Sequence, residues 1–410
     1  MEYNTYTLEN GLRIIHLPSN SQVVYCGYQI KAGSRDEQPG KEGLAHFCEH
    51  MSFKGTKRRK AWHILNYMES VGGDLNAYTN KDSTVYYSAC LKEHTARAVD
   101  LLSDIVFHSI YPQPEIDKEV EVICDEIESY NDSPAELIYD EFENTIFEGH
   151  ALGHNILGTA EKVRSFTTQD AIDFTQRHYV PGNAIFFAYG DIKSGKLVRM
   201  LEKATKGLKT DVFTVNDNMQ HRICNRHRGT TISIHKNTHQ NHVMIGAQAF
   251  KATDERRMPL YLINNILGGP GMNSRLNIAL REHNGLVYTV ESNMVCYGDT
   301  GLWCTYFGCD EDDRNKCIRL AMRELDRLAD KKMPLNALQA AKKQLKGQIG
   351  VACDNRENFA LDFGKSFLHY GWEKDIATLY EHIDAITQDE ILDVAQELFD
   401  KNNLTTLIFE

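Results

Sequence analysis

Strand and helix signals run through this chain twice in similar order, and that repetition limits the fold more than any single motif. At 410 residues the chain exceeds one ordinary core, so two domains of about 200 residues are expected. The first pass opens on Tyr6-Thr7-Leu8, turns at Glu9-Asn10-Gly11 and returns as Leu12 to Leu17. Asn-Gly between apolar runs is a hairpin signal. Strands are predicted near 23–32, 75–79 and 84–91, with helices over roughly 43–53, 59–70, 93–108, 115–130 and 169–178. The apolar run Ala184 to Ala188 closes the half as a buried strand. A polar stretch of weak periodicity, 209–229, reads as a linker. The second pass places strands near 231–235, 242–249, 287–296 and 300–308, helices near 256–267, 312–330 and 334–350, and a closing strand over Leu404 to Phe409. The expected class is α+β, with two homologous domains at 1–208 and 230–410, each an antiparallel sheet packed with helices.

Composition narrows the function. A formal charge of −12 leaves no basic surplus to neutralise phosphates, so no nucleic-acid partner is expected. The dense run Lys54, Lys57, Arg58, Arg59, Lys60 reads as a solvated helix start. No segment approaches the roughly 20 apolar residues of a membrane span, so no membrane partner is expected either. The opening residues Met1 to Thr5 lack the positive start and apolar core of a secretion signal, and a cytoplasmic location follows as an expectation. Ten cysteines show no Cys-x-x-Cys spacing and read as reduced, mostly buried thiols.

The chemistry concentrates in His46-Phe47-Cys48-Glu49-His50. Four residues advance a helix by about 400°, so His46 and His50 point the same way and Glu49 lies beside them. Leu44, Phe47, Cys48 and Met51 form the opposite, apolar face. Two imidazoles so placed can hold a zinc ion, with a carboxylate positioned to take a proton from water at the metal. A catalytic zinc needs a third protein ligand. The acidic helix Glu115 to Glu128 offers candidates, and spacing alone does not choose among Glu119, Glu126 and Glu128. Two other histidine groups compete. His150 and His154 are flanked by Gly149 and Gly153 and read as a structural loop, while His235, His239 and His242 read as surface residues around a turn.

Residues 43–50, 72–79 and 119–126 together resemble the pitrilysin-like zinc peptidases, the inverzincins that include mitochondrial processing peptidase. In that family His-x-x-Glu-His is followed, about 76 residues after the second His, by a glutamate ligand, which falls on Glu126. A second family glutamate, supporting the site from outside the ligand set, falls on Glu119. The resemblance implies one zinc ion per chain, held by His46, His50 and Glu126, with Glu49 as general base. The segment Gly72 to Thr79 is similar to the family's substrate-binding edge strand, where Asn76 and Ala77 would hydrogen-bond a peptide added as a further strand. Ser274-Arg275-Leu276 and the run Arg281 to Tyr288 are similar to its Arg/Tyr element, which makes Arg281 and Tyr288 the implied donors to the substrate's carbonyl oxygens.

The resemblance covers nearly the whole chain and implies peptide substrates, unfolded or presequence-like, cleaved inside a closed chamber. Because one chain carries both elements, it implies a homodimer, or a heterodimer with a related chain. The rival readings are a non-catalytic peptide-binding or scaffold subunit, whose family relatives usually have broken metal motifs, and a subunit active only beside a different partner.

Overall fold

The computed structural model describes residues 1–208, 227–236 and 238–410. The expected linker, 209–229, lies almost wholly outside them. The chain forms two compact units. The first contains Met1–Glu128, the segment that begins at His154, and Ala352–Asp375; the second contains Ser129–Gly153, the segment ending at Val351, and Ile376–Glu410. Two stretches therefore cross the linear division at 208–230: one from the first half joins the second unit, and one from the second half joins the first.

The sheet of the first unit is built from β1 (Asn4–Thr7), β2 (Arg13–Pro18), β3 (Val23–Ile30), β4 (Asp74–Thr79), β5 (Thr84–Leu91) and β6 (Ala184–Gly190), in the order β1-β2-β6-β3-β5-β4. Gly11 allows the opening hairpin, since its φ of +87° is open to glycine and strained for other residues. Asn10 accepts the Leu12 amide at 3.2 Å within the same turn. In the second unit β7 (Thr231–Ile234), β8 (Asn241–Ala249), β9 (Val287–Cys296), β10 (Gly301–Cys309) and β11 (Thr405–Phe409) take the order β7-β11-β8-β10-β9. Without β1, the two orders are the same, strand for strand.

The sheets are not wholly antiparallel, as expected from sequence, but mixed. β2 runs parallel to β6, and β7 runs parallel to β11, while the other neighbours are antiparallel. The reason is topological. The closing strands β6 and β11 insert beside the early strands β2 and β7, and the long intervening connection lets each arrive in the same direction.

Helices α1 (Leu44–Ser52), α2 (Ala61–Glu69), α3 (Thr95–Phe107), α4 (Gln113–Asn131) and α5 (Pro134–Ile146) fill the first half. Phe47, Cys48 and Met51 of α1 are fully buried with Leu101, Leu102 and Ile105 of α3 and Val24, Cys26 and Tyr28 of β3. The stripe Ile116, Val120, Ile123 and Ile127 of α4 joins the same core. Each such side chain contributes about 1.5–3 kcal/mol on burial, so the apolar faces decide where α1 and α4 sit. In the second unit α5 lays Leu137, Ile138 and Phe142 on Met244, Leu407 and Phe409. In the first, the helix Arg356–Tyr370 buries Phe363 on its sheet, and Gly364 lets Gln29 approach. No helix among the described residues is long and apolar enough to cross a membrane.

Candidate metal centre

The site begins with α1. Its cap, Gly43, has φ +100°, and a Cβ there would come within 2.7 Å of the Leu157 carbonyl oxygen, so both conformation and space call for glycine. The fully buried Phe47 and Cys48 fix the rotation of the helix. His46 and His50 are then left side by side, with ring centroids 4.6 Å apart. α4 is fixed by its own apolar stripe and carries Glu119 and Glu126, two turns apart, to the same place.

Glu126 lies between the imidazoles. Its Oε2 is 3.3 Å from His50 Nε2, and its Oε1 is 3.8 Å from His46 Nε2. One donor atom from each of the three residues falls within 4.8 Å of the others, and no other such group occurs among the described residues. Tetrahedral zinc with bonds near 2.0–2.1 Å places neighbouring N and O donors about 3.4 Å apart. Two imidazole nitrogens and a carboxylate at these separations therefore fit a zinc ion with one coordination position left over. Spacing did not choose among three glutamates; the fold brings Glu126 to both histidines.

Glu119 does a different job. Its Oε1 is 3.0 Å from His50 Nδ1, and its Oε2 is 2.5 Å from Lys54 Nζ. It holds the ring nitrogen of His50 that faces away from Glu126, a contact that fixes the tautomer and orientation of the imidazole. Burial works against its charge, yet the hydrogen bonds from His50 and Lys54 keep Glu119 below the usual carboxylate range. Burial also opposes a charge on His50, but Glu119 and Glu126 raise it to about 9. His46 is pushed down to about 4, by burial first and then by His50, with Glu126 acting in the opposite direction.

Glu49 is 8% exposed, and the Thr79 hydroxyl donates to its Oε2 at 2.7 Å. Burial raises its pKa, and the Thr79 hydrogen bond partly offsets that. A buried carboxylate beside the candidate metal donors is in place to take up or return a proton. Thr79 ends β4, and β4 is the sheet edge, paired among the described residues with β5 alone. Asn76 is exposed and Ala77 half-buried on that strand, so the edge that could accept an added peptide strand leads directly to the residue holding Glu49.

Arg281 and Tyr288 lie in the second unit. Arg281 falls in a short π-helix, Asn277–Glu282, and Tyr288 is the second residue of β9, 85% exposed. The guanidinium sits 5.8 Å from the centre of the Tyr288 ring. Among the described residues, the histidines set aside from sequence fall in no group placed to hold a metal ion. His154 bonds Glu37 at 3.0 Å, and His242 bonds the Tyr306 hydroxyl at 2.8 Å.

Sequence reasoning missed Thr79, Lys54 and Glu37. The run from Lys54 to Lys60 is not a solvated helix start but the connection between α1 and α2, and three of its members, Lys54, Arg58 and Arg59, are committed to carboxylates. Lys54 pairs with Glu119, and the largely buried Arg59 pairs with Asp100 and Asp104. The acidic partners lie far along the chain, so the local sequence carried no sign of them.

Comparison with known proteins places these features among relatives. Residues 14–160 match the family model described as Insulinase (Peptidase family M16), and residues 165–345 match Peptidase M16 inactive domain. An uncharacterized zinc protease of Streptomyces coelicolor is 31% identical over 407 residues, covering 98% of this chain and 88% of its own. The mitochondrial-processing peptidase subunit beta of Bos taurus is 29% identical over 404 residues, covering 96% of this chain and 82% of its own. A solved protease from Helicobacter pylori superposes with a TM-score of 0.90 at 22% identity, covering 100% of this chain and 99% of its own, a likeness of fold.

Proposed function

The chain belongs to the M16 peptidase family, and from that premise we propose that it is a zinc-dependent endopeptidase acting on unfolded or presequence-like peptides. The observation that carries the reading is the meeting of His46, His50 and Glu126 donors within 4.8 Å, with Glu49 held beside them. His46, His50 and Glu126 hold one zinc ion, and Glu119 orients His50. When bound, zinc supplies Lewis acidity, polarising a peptide carbonyl and acidifying water. Glu49 accepts the proton of the attacking water and returns it to the leaving amine. Asn76 and Ala77 receive the substrate backbone along the free edge of β4. Arg281 and Tyr288 act as hydrogen-bond donors to the oxyanion, a role whose loss typically costs about 10²–10³ in rate. The chain has its zinc element at 1–208 and its Arg/Tyr element at 230–410, and it works as a homodimer enclosing its substrate.

A second reading is favoured by the similarity to a mitochondrial-processing peptidase subunit, a protein named as one part of an assembly. On that reading the chain cleaves only beside a different, related partner. The purified chain, tested on a quenched unfolded peptide with and without chelator, separates the possibilities. Chelator-sensitive cleavage by the chain alone supports the endopeptidase. Activity that appears only on adding a partner chain supports the second reading. Zinc-loaded protein that binds peptide and never cleaves it would leave a scaffold role.

A further inference from the structure

The two ligand histidines are held differently. His50 has Glu119 on its Nδ1 at 3.0 Å, whereas the Nδ1 of His46 is buried with no hydrogen-bond partner among the described residues. Ligand histidines nearly always use their second nitrogen to fix the ring. The orientation of His46 is therefore left to the backbone that carries it, which is the first turn of α1.

That turn has an unusual anchor. Its cap is a glycine and supplies no side chain. Instead, Glu37, with a wholly buried side chain, reaches in from the preceding loop. Its Oε2 accepts the Gly43 amide at 3.0 Å, and its Oε1 accepts the Ala45 amide at 2.7 Å. Ala45 immediately precedes His46. Glu37 is itself held by His154, whose Nε2 lies 3.0 Å from its Oε2 and 3.1 Å from the Ser34 carbonyl oxygen. The His154 carbonyl in turn accepts Lys81 from the β4–β5 hairpin. The loop after His154 packs against the same helix start, where Gly158 approaches Glu42 so closely that a Cβ would lie 2.2 Å from its carbonyl oxygen.

We propose that Glu37, braced by His154, is a positioning residue for His46: it seats the first turn of α1 and so does for His46 what Glu119 does for His50. A carboxylate suits this place because it accepts two amides at once and lies at the positive end of the helix. The proposal rests on the zinc reading above, and it explains why a buried acid and a histidine remote from the metal motif are joined at the foot of the metal helix.

Zinc affinity, measured on the full chain by competition with a fluorescent chelator, tests it without any need for cleavage. Glu37→Gln keeps the shape and leaves one acceptor oxygen for two amides. Its zinc dissociation constant should rise about 10–100-fold, the usual cost of removing an outer partner of a ligand. Zinc-free thermal stability is followed in parallel. A variant that melts lower yet binds zinc within about threefold of the parent would overturn the proposal, because Glu37 would then support only the fold. If Glu37→Gln does not fold, His154→Ala decides in the same way: weaker zinc binding supports the proposal, and unchanged binding overturns it. Failure of the parent chain to bind zinc is a separate result, which removes the metal reading and this proposal with it.

Discussion

Replacing Thr79 with valine isolates the link between the edge strand and the base. Valine has the same shape and suits a strand, so β4 and its packing should survive. The change removes one interaction, the 2.7 Å hydrogen bond from Thr79 to Glu49. A hydrogen bond to a charged group contributes about 1.5–3 kcal/mol, and its loss leaves a buried carboxylate oxygen without its donor. If that contribution serves to aim Glu49 at the reacting water, kcat should fall by about 10- to 150-fold at 1.36 kcal/mol per decade. The proposed ligands His46, His50 and Glu126 are untouched, so zinc content should be unchanged. Peptide binding to the strand edge uses backbone groups, so KM should move little. The assay is steady-state cleavage of a quenched peptide, with zinc content measured on the same samples. Thr79→Ser restores the hydroxyl and should recover most of the rate. A Thr79→Val protein that keeps its zinc and turns over within about twofold of the parent would show that Glu49 needs no hydroxyl to aim it.

Glu49→Gln should retain zinc and abolish turnover, checked by metal analysis beside the peptide assay; measurable cleavage would remove Glu49 as the base. Arg281→Ala should lower kcat/KM by about 10²–10³ with zinc content unchanged, whereas loss of zinc would reassign Arg281 to support of the metal site. His178 is buried against Phe174, and burial lowers its pKa from 6.5 to about 4, with Arg177 adding to the shift. Between those values the unfolded chain binds a proton that the folded chain does not. The His178 contribution is thus fully present above pH 6.5 and is lost as pH falls towards 4. Melting curves across that range should be less steep in pH for His178→Leu than for the parent.

How far the fold could be read from sequence depended on whether a signal was local. The Asn10-Gly11 turn, the run of Val, Tyr and Thr in β5 and the apolar stripe of α1 each need only neighbouring residues, and the structure has elements at all three places. The stretches that cross between units, Ser129–Gly153 and Ala352–Asp375, receive no element from the sequence pattern beyond residue 130, yet they carry the helices Pro134–Ile146 and Arg356–Tyr370. Nothing in the periodicity of α5 says which sheet receives Phe142, because any apolar face satisfies the helix. The parallel pairing of β2 with β6 and β7 with β11 was hidden for the same reason, since strand direction is a property of the connection rather than of the strand.

The site divides along the same line. His46, Glu49 and His50 share one helix, so a spacing of four residues was enough to bring them to attention. Glu126 needed either a resemblance or a fold, because three glutamates of α4 were equal by spacing and only the packing of Ile116, Val120, Ile123 and Ile127 turns one of them towards both histidines. The residues that hold these side chains in place were the least visible. Thr79, Lys54 and Glu37 are ordinary residue types, and their partners are 30, 65 and 6 to 8 positions away, at helix starts and strand ends. Such contacts form only after the core has set the angle of each element. A ligand set can therefore be intact in a sequence whose supporting contacts have been lost, and the two conditions are separable by experiment: a chain that keeps His46, His50 and Glu126 but lacks Glu37 and Thr79 should bind zinc weakly and cleave poorly, with its metal motif unchanged.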